Sequence, residues 1–183
     1  MDSINKIEEY IDKNFSDKRR THTYGVRKTA LHLAEKYGYD LYRGAGEDVL
    51  NYYVRHLGLD KKYLNNPNLA HGPVAAEMIT KDFGVDDKEI IDAVRYHTTG
   101  RPCMTMLDKI IYIADATEPG RSYPGVEELR REAESDIDKA CLDSLKKTID
   151  FVSSEGNFLD RLTVEAEKYL EEKINKKEKS DDK

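Results

Sequence analysis

The sequence predicts an all-α fold, and three observations carry that prediction. Apolar residues recur at three- and four-residue spacing along most of the chain, glycine or proline closes segment after segment, and no stretch has the alternation of a half-buried strand. With 183 residues and 38% apolar content, the chain is long enough for one domain with a true core and short for two. The domain is placed at residues 1–174, with 175–183 a charged, disordered tail.

Each helix has its own signals. Ile4, Ile7 and Ile11 share a face from Met1 to Phe15, with Ser3 as cap. A polar break over Ser16 to Arg20 precedes a second helix, Thr21 to Tyr37, striped by Val26, Ala30 and Leu33 and closed by Gly38. Gly44 and Gly46 mark a loop before a helix near Glu47 to Leu57, and Pro67 among asparagines marks a turn. Val74, Met78 and Ile79 predict a helix from His71 to Phe83. Asp86 and Glu89 read as a capping box ahead of a helix over Asp87 to His97, and Thr105 with Asp108 as a weaker one ahead of the next. That next helix is apolar almost all round, which predicts a central position, and Asp115 lies at its end. Beyond Pro124, helices are expected over Val126 to Val152, broken near Ser135, and over Leu159 to Ile174.

Composition restricts function. A net charge of −6 argues against a dedicated nucleic-acid binder and favours a small substrate. Cys103 and Cys141 form no CxxC pair, no apolar leader opens the chain, and no run approaches membrane-spanning length. The reading is cytoplasmic, with no membrane and no nucleic-acid polymer as partner.

An ionised carboxylate at the end of so apolar a helix is costly unless paired, hydrogen-bonded or bound to metal, so Asp115 is the first residue to explain. His22, His71 and His97 each sit on an end or apolar face of a different helix, and with Asp115 they could converge in a bundle core. Imidazole and carboxylate suit iron, manganese, zinc or nickel. Read singly, each histidine is also an ordinary partly buried one, as His32 and His56 are taken to be. Thr98, Thr99, Gly100 and Arg101 form either a plain helix stop with Pro102 behind it or a phosphate clamp, and the residues alone leave these even. Glu118, Arg121 and Tyr123 are evenly balanced too, between loop residues and holders of a ligand beside the metal.

The stretch YHTTGRPCMTMLDKIIYIADATEPGRSYPGVEELR, with RRTHTYGVRKTALHLAEKYG and NNPNLAHGPVAA before it, resembles the HD-domain symmetrical diadenosine tetraphosphate hydrolases. The resemblance covers most of Asp12 to Leu170. It implies an HD-type helical bundle, a divalent metal centre that is usually iron, and cleavage of a dinucleoside tetraphosphate into two nucleoside diphosphates such as ADP or GDP. By it, His22, His71, His97 and Asp115 match metal ligands, Asp115 being also the catalytic carboxylate. Arg19, Thr98, Thr99, Gly100, Arg101 and Arg121 match positions near the nucleotide phosphates. A homodimer is left open.

One departure stands out. The family places an adjacent His-Asp pair on a long apolar helix after the YG stop, whereas here Gly38-Tyr39-Asp40 runs through Leu41-Tyr42 into Arg43-Gly44. The chain contains no His-Asp dipeptide. The expected carboxylate bridge between two metals is absent with it. Two alternatives therefore stand beside hydrolysis of diadenosine tetraphosphate: a degenerate HD protein that binds nucleotide or metal without turnover, and a phosphohydrolase with another nucleotide substrate.

Overall fold

The structure is a computed structural model that describes residues 3–36, 63 and 66–181. Among them are eight helices and no strand: α1 Ser3–Asn14, α2 Asp17–Lys36, α3 Pro67–Lys81, α4 Lys88–Tyr96, α5 Met106–Thr117, α6 Val126–Ser135, α7 Ile137–Ser154 and α8 Arg161–Asp181. The helix expected near Glu47 to Leu57, with His56, lies outside the described residues.

Helix α5 is the axis of the bundle. Nine of its twelve residues are buried, and α2, α4, α6 and α7 all pack on it. Ile110 and Ile113 are fully enclosed and share one core with Leu33, Leu129, Leu145 and Leu170. The capping box that starts α5 is complete: the Thr105 hydroxyl accepts from the Asp108 amide, and the Asp108 carboxylate accepts from the Thr105 amide at 2.8 Å. Lys109, also buried on α5, is neutralised by Asp138 at 2.6 Å, which Lys173 of α8 reaches at 2.8 Å. An ammonium in that position requires such a partner.

Four expectations are corrected in detail. Helix α2 begins at Asp17, because only Ser16 breaks the chain and its carbonyl already accepts the Arg20 amide. Helix α3 begins at Pro67, whose missing N–H costs nothing in a first turn, so His71 lies inside α3. Asp87, not Asp86, caps α4, its carboxylate accepting from the Glu89 and Ile90 amides. Helix α8 runs on to Asp181 through the span expected to be a disordered tail; its Lys and Glu residues favour helix, and Lys176 pairs with Glu172 one turn back.

Candidate metal centre

The four expected ligands come from four helices: His22 from α2, His71 from α3, His97 from the C-terminal cap of α4, and Asp115 from the last turn of α5. They meet as two pairs. His22 Nε2 is 3.1 Å from Asp115 Oδ1, and His71 Nε2 is 2.7 Å from His97 Nε2. His97 lies close enough to Asp115 to contribute to lowering its carboxyl, so both pairs belong to one electrostatic neighbourhood. No group of three or more His, Cys, Asp or Glu side chains is closed into a metal cage among the described residues.

The other ring nitrogens explain which way the imidazoles point. His22 Nδ1 lies 3.0 Å from Glu118 Oε1, and His97 Nδ1 lies 2.7 Å from the Val94 carbonyl, which can only accept. With Nδ1 so engaged, the opposite nitrogen Nε2 lies toward Asp115 in His22 and toward His71 in His97. The close contact between His71 and His97 requires a proton on one Nε2, and metal ligation displaces such a proton. Imidazole nitrogens turned inward beside a carboxylate fit a divalent transition metal.

Asp115 is held ionised. Burial pushes its carboxyl up, but the bond from His22 and the proximity of His97 and Arg121 outweigh burial and hold it well below the usual range. His22 is raised, chiefly by its bond to Asp115, against burial and with help from Glu118. Arg121 is bound to Asp115 twice, from Nε to the main-chain oxygen at 2.8 Å and from Nη2 to Oδ2 at 2.9 Å.

The Thr98 to Arg101 turn divides. The Thr98 hydroxyl lies 3.2 Å from His71 Nε2, at the centre. The Thr99 hydroxyl donates to the Gly100 carbonyl and is buried. Gly100, in the left-handed region at φ +65°, packs toward Leu145 and Ala166, where a Cβ would come within 3.3 Å of each. Arg101 is taken by Asp108, with Nη2 at 2.7 Å and Nε at 3.0 Å, and lies over the Tyr96 ring. Among these four, therefore, Thr98 reaches His71 and the others bind the turn to the core. Arg19 lies on α2 one turn before His22. His32 pairs with Glu134 away from the centre.

Two residues support the centre, Glu118, which the sequence left open, and Arg130, which it did not single out. Glu118 is 3% exposed and is bound to His22. Arg130 donates to the carbonyls of Thr117, Glu118 and Arg121 at 2.9, 2.9 and 3.0 Å, clamping the turn that carries Glu118 and Arg121. The EP dipeptide at Glu118 was a signal for the first; Arg130 has none, because its targets lie across a loop.

A helical bundle that turns imidazoles and a carboxylate inward from different helices is the architecture of an HD-type protein, and residues 19–120 match the HD domain family. The chain is 37% identical over 155 residues to the symmetrical bis(5'-nucleosyl)-tetraphosphatase of Bacillus subtilis, covering 78% of this chain and 83% of that one. It is 31% identical over 183 residues to the protein of the same name from Halalkalibacterium halodurans, covering 92% and 98%. The crystal structure of a Clostridium acetobutylicum HD superfamily hydrolase described as involved in NAD metabolism superposes with a TM-score of 0.83 at 37% identity, covering 92% of this chain and 97% of the other. The chain belongs to the HD-domain family, in its branch of symmetrical bis(5'-nucleosyl)-tetraphosphatases. The H. halodurans alignment spans 183 positions yet covers 92% of a 183-residue chain, so the relative has positions with no counterpart here.

Proposed function

We propose that the chain is a divalent-metal-dependent hydrolase that cleaves dinucleoside tetraphosphates, diadenosine tetraphosphate in particular, symmetrically into two nucleoside diphosphates. The observation that carries this reading is the pairing of His22 Nε2 with Asp115 and of His71 Nε2 with His97 Nε2, in a chain whose relatives bear the name of that activity. His22, His71, His97 and Asp115 would hold the metal, with iron the first expectation and manganese, nickel or zinc as alternatives. A bound divalent ion supplies an acidified water and a Lewis acid for a phosphoryl oxygen.

The chain's own residues do the rest. Arg121 keeps Asp115 ionised and places a guanidinium, 39% exposed at its side chain, where phosphate charge develops. Thr98 offers a hydroxyl beside His71, and Arg19 a second cation on the α2 side. Thr99, Gly100 and Arg101 fix the position of Thr98 rather than contact phosphate.

A second reading, nucleotide binding without turnover, is favoured by one observation: the chain has no His-Asp dipeptide. A side-by-side assay separates the two. Purified chain and a version carrying a His-Asp helix between Asp40 and Arg43 are compared for metal content by elemental analysis and for hydrolysis of diadenosine tetraphosphate at matched metal loading. Both should carry metal that is lost in the His97→Ala, Asp115→Ala double variant. The lengthened form should turn over about a thousandfold faster if a second metal is restored. Equal, fast hydrolysis by both would show that the ligands are misassigned, and no hydrolysis by the short form would establish the binding-only reading for it.

A further inference from the structure

We propose that Glu118 is a positioning residue for His22: seated between Gly25 and Gly120, its carboxylate holds the Nδ1 proton of His22 and so presents Nε2 beside Asp115. This rests on the metal-centre reading above and adds the group that orients one of its ligands.

The geometry is specific. Glu118 Oε1 is 3.0 Å from His22 Nδ1, and Oε2 accepts the Gly120 amide at 2.6 Å. Both oxygens are thus committed as acceptors, and the side chain is 5% exposed. The seat exists because two neighbours have no side chain. A Cβ on Gly25, one turn beyond His22 on α2, would stand 2.6 Å from Oε2, and a Cβ on Gly120 would stand 3.0 Å from Oε1. Arg130 holds the Glu118 carbonyl from the other side, so the acid is fixed at both its main chain and its carboxylate.

Neutral imidazole carries its proton on either nitrogen, and the bond made by one nitrogen decides the state of the other. An acceptor at Nδ1 keeps a proton there, so that Nε2, which shares its own proton with Asp115, is the nitrogen a metal takes when it displaces that proton, whereas a donor at Nδ1 would leave Nδ1 bare and hold the proton on Nε2. Glu118 meets two N–H groups and therefore must accept twice. Glutamine fills the same volume but offers one acceptor and one donor. If its oxygen faces Gly120, its amide faces Nδ1 and reverses the tautomer; if its oxygen faces His22, its amide opposes the Gly120 N–H. A residue that merely filled space would be replaced by glutamine without effect.

The test uses the full chain, with zinc as the metal probe and the ring nitrogens of His22 read by 15N long-range NMR. Wild-type His22 should show a protonated Nδ1 before and after zinc is added, and zinc on Nε2 after. Glu118→Gln should weaken zinc binding by about 10- to 100-fold, the usual effect of losing a partner of a ligating histidine. Gly25→Ala, which displaces the carboxylate without altering any charge, should act in the same direction. Glu128→Gln, exposed on α6, should bind zinc as wild type does. A bare Nδ1 in the wild-type protein overturns the proposal even if neither core variant folds, and so does zinc affinity within twofold of wild type in folded Glu118→Gln. Wild-type protein that binds no zinc defeats the metal-centre reading instead, and the metal-free spectrum still decides whether Glu118 orients His22.

Discussion

Replacing Arg130 with methionine should destabilise the protein far more than the loss of a surface arginine. The guanidinium donates to three carbonyls, and two of them, those of Thr117 and Glu118, belong to buried residues. A buried acceptor left without a partner costs about 1–3 kcal/mol, and that cost falls on the Thr117 carbonyl, because the Glu118 carbonyl keeps the Arg121 amide at 2.9 Å. The third, on Arg121, is half-buried and can turn to water. For a chain of this size that lowers the melting temperature by roughly 5 °C. Arg130 also pairs with Glu127 at 2.5 Å, but the Glu127 side chain is 67% exposed and such pairs contribute little. Thermal melts of Arg130→Met and Glu127→Gln separate the two contributions. Arg130→Met should melt well below wild type, Glu127→Gln close to it. A loss below about 1 kcal/mol in Arg130→Met, or an equal loss in both, would refute the view that Arg130 clamps the turn below α5.

Two further outcomes follow from other parts of the fold. Asp138→Ala strands the buried Lys109 ammonium and should cost about 3 kcal/mol in urea denaturation. Burial pushes the Asp138 carboxyl up, but bonds from Lys109 and Lys173 outweigh it and hold it below 3.8 in the folded protein. Its stabilisation is therefore complete above the unfolded value and lost as pH falls through the folded one, so the variant should show a flatter acid limb of stability against pH. A limb parallel to wild type would count against the pairing. Arg101→Ala should lower stability by about 3 kcal/mol, since Asp108 is 3% exposed and loses its cation, while nucleoside diphosphate affinity stays within about twofold. Lost affinity at unchanged stability would return Arg101 to the phosphate.

How far the site could be read from the sequence depended on whether its signals were local. Thr105 and Asp108 stand three apart and meet through one helical turn, so that cap was legible. The apolar run around Asp115 foretold a central helix, and α5 is central. Asp86 completes a capping-box spacing with Glu89, but Asp87 reaches two amides and displaces it. For Arg101 the residues alone leave helix stop and phosphate clamp even, and its partner has no local signal: Asp108 is seven residues on and becomes adjacent only when α5 turns back. The service of Arg130 to the 117–121 turn depends on a loop whose path no spacing rule encodes.

The two ligand pairs differ in the length of chain each must close. His71 and His97 are 26 residues apart, whereas His22 and Asp115 are 93 apart. Loop entropy makes the longer closure dearer by about 1 kcal/mol, so the α3 and α4 half of the centre can form early and locally, and docking of α2 completes it late. The same logarithm bears on the His-Asp helix that the family resemblance places after the YG stop. Adding a dozen residues between Asp40 and Arg43 lengthens the His22 to Asp115 loop but changes its closure cost by only about 0.1 kcal/mol. Chain entropy is therefore nearly indifferent to the segment, and any difference between the short and long forms must arise from the side chains the segment brings and the surface they bury.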